Sequence, residues 1–145
     1  MTAAITVVGT GTGGPYDTGV LAGAELVVGA RRHLDAAPLP ETARRVVLGP
    51  LAPALDVVAE HVAAERRVVV LASGDPGFFG IVRALAERFG PERLHVRPGV
   101  SSVAAAFARI ALPWDDAVVV SAHGRGLRRA VSVCRARPKV AVLTG

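Results

Sequence analysis

Asp75 is the residue whose type and setting best suit chemistry in this sequence. It follows a continuous apolar run over 68–72, which is typical of a strand buried on both faces. The run stops at Ser73-Gly74-Asp75-Pro76, so the carboxylate is predicted at the carboxyl end of a strand, where open α/β sheets bind their ligands. A carboxylate there can pair with a ligand ammonium or steady a cationic centre. The alternative is an ordinary turn built from aspartate and proline.

A second loop of the same kind follows another strand candidate, 94–97. Pro98-Gly99-Val100-Ser101-Ser102 ends that strand, and an alanine-rich helix is predicted over 103–110. Ser101 or Ser102 is suited to cap the helix by accepting a bond from an early helical amide. The same hydroxyls and amides could receive a polar ligand. Together, the two strand-end loops predict neighbouring walls of one pocket.

A third loop opens the chain after a strand candidate at 5–8. Its glycines at 9, 11 and 14 satisfy the G-x-G-x-x-G pattern of dinucleotide-binding folds. Such folds also place an acidic residue at the end of the second strand. Here the strand candidate 25–28 ends in Gly29-Ala30-Arg31-Arg32, which lacks an acid but would suit a 2′-phosphate. NADP binding by an oxidoreductase therefore stays open, beside the interpretation that this loop is one more wall of the shared site.

Two further polar residues, His123 and Arg125, follow a strand candidate at 117–121. Glycines at 124 and 126 flank them, so the backbone is free to meet a bulky ligand. Arginine pairs bidentately with carboxylates, and histidine can move a proton near neutral pH. A surface turn is the alternative for this segment.

The rest of the chain alternates between strand and helix patterns. Strands are predicted at 46–48 and 140–143, and helices at 51–65, which is amphipathic, and 126–135. This alternation predicts an α/β fold with a mostly parallel sheet. Two side chains outside the loops are expected to be structural, namely Trp114 in packing and Cys134 facing the interior of a helix.

The order and spacing of the three loops resemble those of the tetrapyrrole methylases. The segments Ala-Phe-Ala-Arg-Ile-Ala-Leu-Pro-Trp-Asp-Asp, ending at Asp116, and Val-Ser-Ala-His-Gly-Arg, ending at Arg125, resemble the CbiE-type branch of that family. The resemblance runs from residue 5 to the C-terminus. It implies a two-lobe fold, with the N-terminal α/β lobe over 1–112 and the linker and incomplete beginning of a second lobe over 113–145. We therefore expect the chain to be a fragment.

The resemblance also implies a function. The family consists of S-adenosylmethionine-dependent methyltransferases, and this branch suggests C5 methylation of precorrin-6Y or precorrin-7 in cobalamin biosynthesis. A methylase of the same fold acting on uroporphyrinogen, RNA or protein is the alternative. The residues expected to bind the cofactor are Gly11, Thr12, Ser73, Gly74, Asp75, Phe78, Ser101 and Ser102. Asp75 would position the reactants, while His123 and Arg125 would bind substrate.

One of these positions departs from the family pattern. Many relatives carry proline where this sequence has Thr12, whose hydroxyl would have to substitute in any ligand contact. Family members are often homodimers, so a homodimer is expected. A decarboxylating methyltransferase domain or subunit is a further possible partner downstream.

Composition agrees with a globular enzyme. The 145 residues are 51% hydrophobic and carry a net charge of +5 that comes almost wholly from arginine. A basic surface would suit RNA or a substrate with many carboxylates, but the six aromatic rings leave little for base stacking, so no nucleic-acid partner is expected. No apolar run is long enough to span a bilayer, and the start lacks a basic signal region. With one cysteine, a cytoplasmic location is expected, and no metal site is predicted.

Overall fold

The computed structural model of the protein describes residues 4–13 and 15–144. Over these residues, strands and helices alternate along the chain. The strands are β1 Ile5–Gly9, β2 Leu26–Gly29, β3 Arg44–Val47, β4 Val68–Ala72, β5 Leu94–Arg97, β6 Val118–Ser121 and β7 Val140–Leu143. The α-helices are α1 Thr18–Leu21, α2 Arg31–Ala36, α3 Leu51–Ala63, α4 Val82–Phe89, α5 Ser102–Arg109 and α6 Arg128–Ala136. One turn of 3₁₀ helix, Pro91–Arg93, precedes β5.

The first five strands form one sheet in the order β3-β2-β4-β1-β5. Each of its pairings is parallel, and β4 lies at the centre, paired with β1 on one side and β2 on the other. Strands β6 and β7 form a separate parallel pair. The predicted α/β fold with a mostly parallel sheet is therefore confirmed.

Helices cover both faces of the five-stranded sheet. Alternate residues of the strands point to opposite faces, so each face carries its own apolar cluster. One cluster joins the sheet to α3 and α4 through Ile5, Val7, Leu26, Val28, Val68, Val70, Ala54, Val58 and Leu85. The other joins it to α1 and α2 through Val8, Val27, Val69, Leu71, Leu21 and Leu34, among others. The apolar run at 68–71 is buried throughout because β4 is covered on both faces.

The chain divides into two compact units, one up to Ser101 and one from Ser102 onward. Unit 1 contains the five-stranded sheet, and unit 2 contains β6, β7, α5 and α6. Contacts thus group α5 with the second unit, whereas the division into family lobes between 112 and 113 stays a prediction.

Unit 2 is held by a few specific contacts. Lys139 Nζ donates to the Pro113 carbonyl at 2.7 Å and to Asp116 Oδ1 at 2.6 Å. The pKa of Asp116 lies below its ordinary value, mainly because its carboxylate accepts the hydrogen bond from Lys139. Trp114 stacks on Phe107 with ring centroids 5.7 Å apart, as expected of a packing residue.

The prediction for Cys134 is wrong, because this side chain is exposed on α6. Ala130 is the buried residue of that helix, which packs on β6 and β7. A pair of strands is too narrow to bury a long helical face.

No helix within 4–13 and 15–144 combines the length and apolar character that a bilayer crossing requires.

Candidate ligand site

Three loops leave the same edge of the five-stranded sheet. The loop after β1 carries Gly11 and Thr12, the loop after β4 carries 73–80, and the loop after β5 leads to Ser101. Because β1 lies between β4 and β5 and the strands are parallel, the three loops are neighbours at the carboxyl ends. The structure therefore brings together the predicted site residues of unit 1.

Backbone hydrogen bonds join the loop after β1 to the loop after β4. Gly11 N donates to Gly74 O at 3.2 Å, and Gly74 N donates to Gly11 O at 2.8 Å. Thr10 adds two bonds to the Ala72 carbonyl, from its amide at 2.8 Å and from its hydroxyl at 3.1 Å. Gly11 and Gly74 both have φ near +60°, at +62° and +61°, a conformation that favours glycine. These bonds fix the two loops against each other.

Two further glycines allow the third loop to join this contact. A Cβ on Gly9 would lie 2.5 Å from both Gly74 O and Gly99 N. A Cβ on Gly99 would lie 2.7 Å from Gly11 N and collide with the Gly74 carbonyl. Close packing of the loops therefore accounts for Gly9 of the G-x-G-x-x-G pattern, and the positive φ accounts for Gly11. Gly14 lies outside the described residues.

Asp75 is half-buried in the loop after β4. Its Oδ1 accepts a hydrogen bond from Gly77 N at 3.0 Å, and its carbonyl accepts one from Phe78 N at 3.0 Å. Pro76, the next residue, is buried and anchors the turn. The carboxylate thus organises its own loop, as in an aspartate turn, and remains partly open to solvent.

Two other predicted residues lie in these loops. Phe78 is half-buried and makes an edge-to-face contact with Phe79, whose ring centroid is 5.0 Å away. Phe79 is 53% exposed. Thr12 is exposed at the end of the first loop, and its neighbour Gly13 has open space where a Cβ would lie. These positions leave room for a ligand beside the loops.

Ser73 belongs to a hydrogen-bonded cluster that sequence reasoning missed. Arg32 Nη2 donates to Ser73 Oγ at 2.6 Å, and His33 Nε2 lies 2.9 Å from the same oxygen. The hydroxyl of Tyr16 lies 3.3 Å from the other ring nitrogen, His33 Nδ1. Arg32 and His33 follow β2, the strand beside β4, at the same edge of the sheet. The sequence pattern marks Arg32 only as a residue suited to a 2′-phosphate and does not single out His33, because their contact with Ser73 depends on the pairing of β2 with β4.

His33 is buried, with 8% of its surface exposed. Burial lowers its pKa below the ordinary value of 6.5, and the positive charge of Arg32 lowers it further. The ring is therefore neutral at pH 7, with one nitrogen protonated and the other able to accept a hydrogen bond.

The remaining predicted residues lie at the boundary and in unit 2. Ser101 is half-buried at the end of unit 1, and Ser102 is the exposed first residue of α5. His123 and Arg125 are exposed in the loop after β6, where Arg125 N donates to the Ala122 carbonyl at 3.2 Å. Gly124 between them has φ +62°, so this turn needs its glycine.

The strand order disfavours the dinucleotide-binding alternative. In that fold the first two strands are adjacent, giving the order 3-2-1-4-5. Here β4 lies between β2 and β1. In addition, the helix after the glycine loop begins at Thr18 and is capped by Asp17, so the glycine loop does not open directly into it.

Comparison with known proteins agrees with this architecture. Residues 4–145 match the family model for Tetrapyrrole (Corrin/Porphyrin) Methylases. A precorrin-6Y C(5,15)-methyltransferase [decarboxylating] from Sinorhizobium is 38% identical over 130 residues, which are 85% of this chain and 31% of that protein. A cobalt-precorrin-7 C(5)-methyltransferase from Salmonella typhimurium is 32% identical over 126 residues, 83% of this chain and 62% of the relative. The chain belongs to the tetrapyrrole methylase family.

Solved structures show the same likeness. The methyltransferase CobJ superposes with a TM-score of 0.72 at 28% identity, over 92% of this chain and 62% of that structure. The precorrin-6Y methylase cbiE from Archaeoglobus fulgidus superposes with a TM-score of 0.68 at 28% identity, over 83% of this chain and 64% of that structure. This chain spans less than two thirds of the length of each of these four proteins.

Proposed function

We propose that the protein containing this chain is an S-adenosylmethionine-dependent C-methyltransferase of cobalamin biosynthesis. Its proposed substrate is a precorrin or cobalt-precorrin, methylated at C5. The observation that carries the proposal is the family match over 4–145, together with relatives whose names specify C5 methylation. The joined loops after β1, β4 and β5 support it, since they lie at the carboxyl ends of the parallel strands, where open α/β sheets bind ligands.

The polar groups of the loops fit such a cofactor. S-adenosylmethionine carries an ammonium, a carboxylate, ribose hydroxyls and an adenine ring, and when bound it supplies an electrophilic methyl group. Asp75 offers a carboxylate to positive or hydroxyl groups, and Ser73, an exposed residue, offers a hydroxyl. Phe78 offers a half-buried ring to an apolar part of the ligand. We assign cofactor contacts to Gly11, Thr12, Ser73, Gly74, Asp75, Phe78, Ser101 and Ser102.

These residues would act by alignment. Methyl transfer to carbon is an in-line displacement, for which holding the reactants in attack geometry can supply about 7–11 kcal/mol. The hydrogen bonds between the loops after β1 and β4 support this role, because they fix Gly11 and Gly74 against each other. Asp75 would position the reactants, and it takes no proton in this scheme.

Substrate recognition is assigned to His123 and Arg125. Tetrapyrrole precursors carry several acetate and propionate arms, and a guanidinium pairs with a carboxylate through two parallel hydrogen bonds. Both side chains are exposed in a glycine-containing turn, which supports contact with a large ligand. The net charge of +5 favours a polyanionic substrate as well.

We further propose a homodimer in the cytoplasm. A decarboxylating methyltransferase domain or subunit is a proposed partner. The name of the Sinorhizobium relative contains the word decarboxylating, and most of that protein's length lies outside the segment that matches this chain. Sedimentation of the whole protein would test the dimer.

Calorimetric titration of the whole protein with S-adenosylhomocysteine and with NADPH tests the proposal. We expect S-adenosylhomocysteine to bind and NADPH not to bind. Methyl transfer from labelled S-adenosylmethionine should then require a precorrin, with uroporphyrinogen and RNA as controls. If NADPH binds and S-adenosylhomocysteine does not, the methyltransferase assignment is wrong. If uroporphyrinogen or RNA is methylated and the precorrin is not, the substrate assignment is wrong.

A further inference from the structure

The cluster around Ser73 has the arrangement of a carboxylate subsite. We propose that Arg32 and Ser73 bind a ligand carboxylate, and that His33 and Tyr16 hold the serine hydroxyl as a hydrogen-bond donor. The carboxylate could belong to the amino-acid end of the cofactor or to an acidic arm of the tetrapyrrole. Both ligands come from the proposed function, on which this inference therefore rests.

Arg32 brings an uncompensated charge to this place. Arg32 is an exposed residue whose guanidinium donates to a neutral hydroxyl, and none of the ion pairs found within 4–13 and 15–144 involves it. A guanidinium has five N–H donors in a planar fork that matches a carboxylate. The contact with Ser73 uses one donor and holds the side chain in place. Donors remain for an anionic ligand.

The bonds at Ser73 Oγ determine what its proton can do. Arg32 can only donate, so Oγ accepts from it and uses one lone pair. If His33 carries its proton on Nε2, Oγ accepts a second bond, and the hydroxyl proton is free for a ligand. If the proton is on Nδ1, the serine donates to the ring instead and offers nothing outward.

The bond between Tyr16 and His33 can form in both tautomers, since the tyrosine hydroxyl can donate to an unprotonated Nδ1 or accept from Nδ1–H. In the tautomer with Nε2–H, Tyr16 donates to Nδ1 and holds the ring in that state. The lowered pKa of His33 keeps the ring neutral, so an accepting nitrogen is available. A carboxylate beside Ser73 favours the same tautomer because it needs the serine proton.

Asp75 stands two residues after Ser73 in the same loop. A ligand that carries an ammonium beside its carboxylate could pair with Asp75 and Arg32 at once. This arrangement favours the amino-acid end of the cofactor as the source, and the experiment separates it from a tetrapyrrole arm.

Nuclear magnetic resonance titration of the labelled chain tests the subsite, since it measures even millimolar affinities. The probes are S-adenosylhomocysteine, methylthioadenosine, which lacks the amino-acid end, and uroporphyrin, which carries only tetrapyrrole carboxylates. The variants are Arg32→Met and, as the matched control, Arg31→Met on the preceding exposed arginine. If the subsite holds the cofactor carboxylate, Arg32→Met weakens S-adenosylhomocysteine binding about tenfold or more and leaves methylthioadenosine unchanged.

The other outcomes are equally informative. A loss confined to uroporphyrin assigns the subsite to a tetrapyrrole arm. Equal effects of Arg32→Met and Arg31→Met on every probe overturn the subsite while leaving the proposed function intact. If the unmodified chain binds none of the three probes, so that no resonance near Ser73 shifts, the result counts against both the subsite and the proposed function.

The positioning role of His33 has its own readout. In His33→Gln the side-chain amide can still donate from the place of Nε2, whereas in His33→Asn it corresponds to Nδ1. We expect the glutamine variant to retain affinity within about threefold and the asparagine variant to lose as much as Arg32→Met. Ring nitrogen shifts of the unmodified chain with S-adenosylhomocysteine bound should report the Nε2–H tautomer. Equal losses in both variants, or the opposite tautomer, would contradict the role assigned to His33.

Discussion

The Asp75 carboxylate accepts a hydrogen bond within its own turn and is also proposed to contact the cofactor. Substitution can separate these two roles. Asparagine keeps an oxygen to accept the Gly77 amide but removes the charge, whereas alanine removes both. We expect Asp75→Asn to weaken S-adenosylhomocysteine binding by the value of one charged hydrogen bond, about 1.5–3 kcal/mol, or about 10- to 150-fold in Kd. Asp75→Ala should weaken it at least as much and also lower the melting temperature.

Calorimetry and thermal unfolding of the whole protein would measure the two effects. Asp75→Asn with unchanged affinity would mean that the carboxylate serves only the turn.

Arg125 is predicted to act on the substrate and not on the cofactor. Lysine keeps the positive charge but loses the bidentate geometry. Arg125→Lys should therefore raise the KM for the precorrin with little change in kcat, the pattern of a lost uniform binding interaction, and leave S-adenosylhomocysteine affinity intact. Steady-state kinetics and calorimetry of the whole protein would check this. A loss of cofactor binding at normal KM would reverse the assignment.

His33 should make stability depend on pH. Its pKa in the folded state is below the ordinary 6.5, so the unfolded chain binds more protons than the folded chain just below pH 6.5. The stabilising contribution of the neutral ring is therefore complete above pH 6.5 and is lost as the pH falls below that value. Urea unfolding of the chain from about pH 5 to 8 should show this loss. His33→Gln should flatten that part of the curve, and an unchanged slope would exclude His33 as its source.

The residues of the Ser73 cluster show where sequence reasoning stopped. Ser73 was predicted from its place after a buried strand, which is a local pattern. Its contacts with Arg32 and His33 join positions about 40 residues apart, through the lateral pairing of β2 with β4. No periodicity or spacing within one segment encodes such a neighbour, so these partners could be found only once the strand order was known.

At the scale of elements, the glycines after β1 and β5 control whether the loops can meet. A methyl group at Gly99 would collide with the Gly74 carbonyl and lie 2.7 Å from Gly11 N. We expect Gly99→Ala to destabilise the chain by about 1–3 kcal/mol, as overpacking does, and to perturb the Gly11–Gly74 bonds. Denaturant unfolding and the amide exchange of Gly11 and Gly74 would measure this.

Gly49→Ala is the matched control, since a Cβ at Gly49 meets nothing within 4 Å and no positive φ is involved. Its stability should stay within about 0.5 kcal/mol of the unmodified chain or rise slightly. Similar losses in both variants would argue against close loop packing at Gly99.

The elements themselves were predictable to different degrees. The strands at 68–72, 94–97 and 140–143 were found with their observed bounds because continuous apolar runs or clear breakers mark them. The helices α1 and α2 were missed, since four and six residues are too short to show a helical period. The order of strands in the sheet depends on lateral packing and could not be derived from local patterns. The family resemblance supplied the fold that those patterns left open.

At the scale of the whole molecule, the two units differ in how much they bury. Both large apolar clusters are built from unit 1, at residues up to 96. Among the described residues, six of the ten exposed large hydrophobic side chains lie in unit 2, namely Ile110, Leu112, Trp114, Leu127, Val131 and Val142. A two-stranded sheet has little independent stability. The free energy of opening should therefore be lower in unit 2 than in unit 1.

Native-state hydrogen exchange of the chain would resolve this difference. Amides of β6 and β7 should show a lower free energy of opening than amides of the central strand β4, whose side chains are buried on both faces. Two matched variants locate the effect, since Val120 and Val70 are buried in β6 and β4 respectively. Val120→Ala should lower protection in unit 2 alone, and Val70→Ala should lower it throughout unit 1, each by about 2 kcal/mol. Equal protection of β6 and β4, with each variant acting on the whole chain, would show one cooperative unit instead of two.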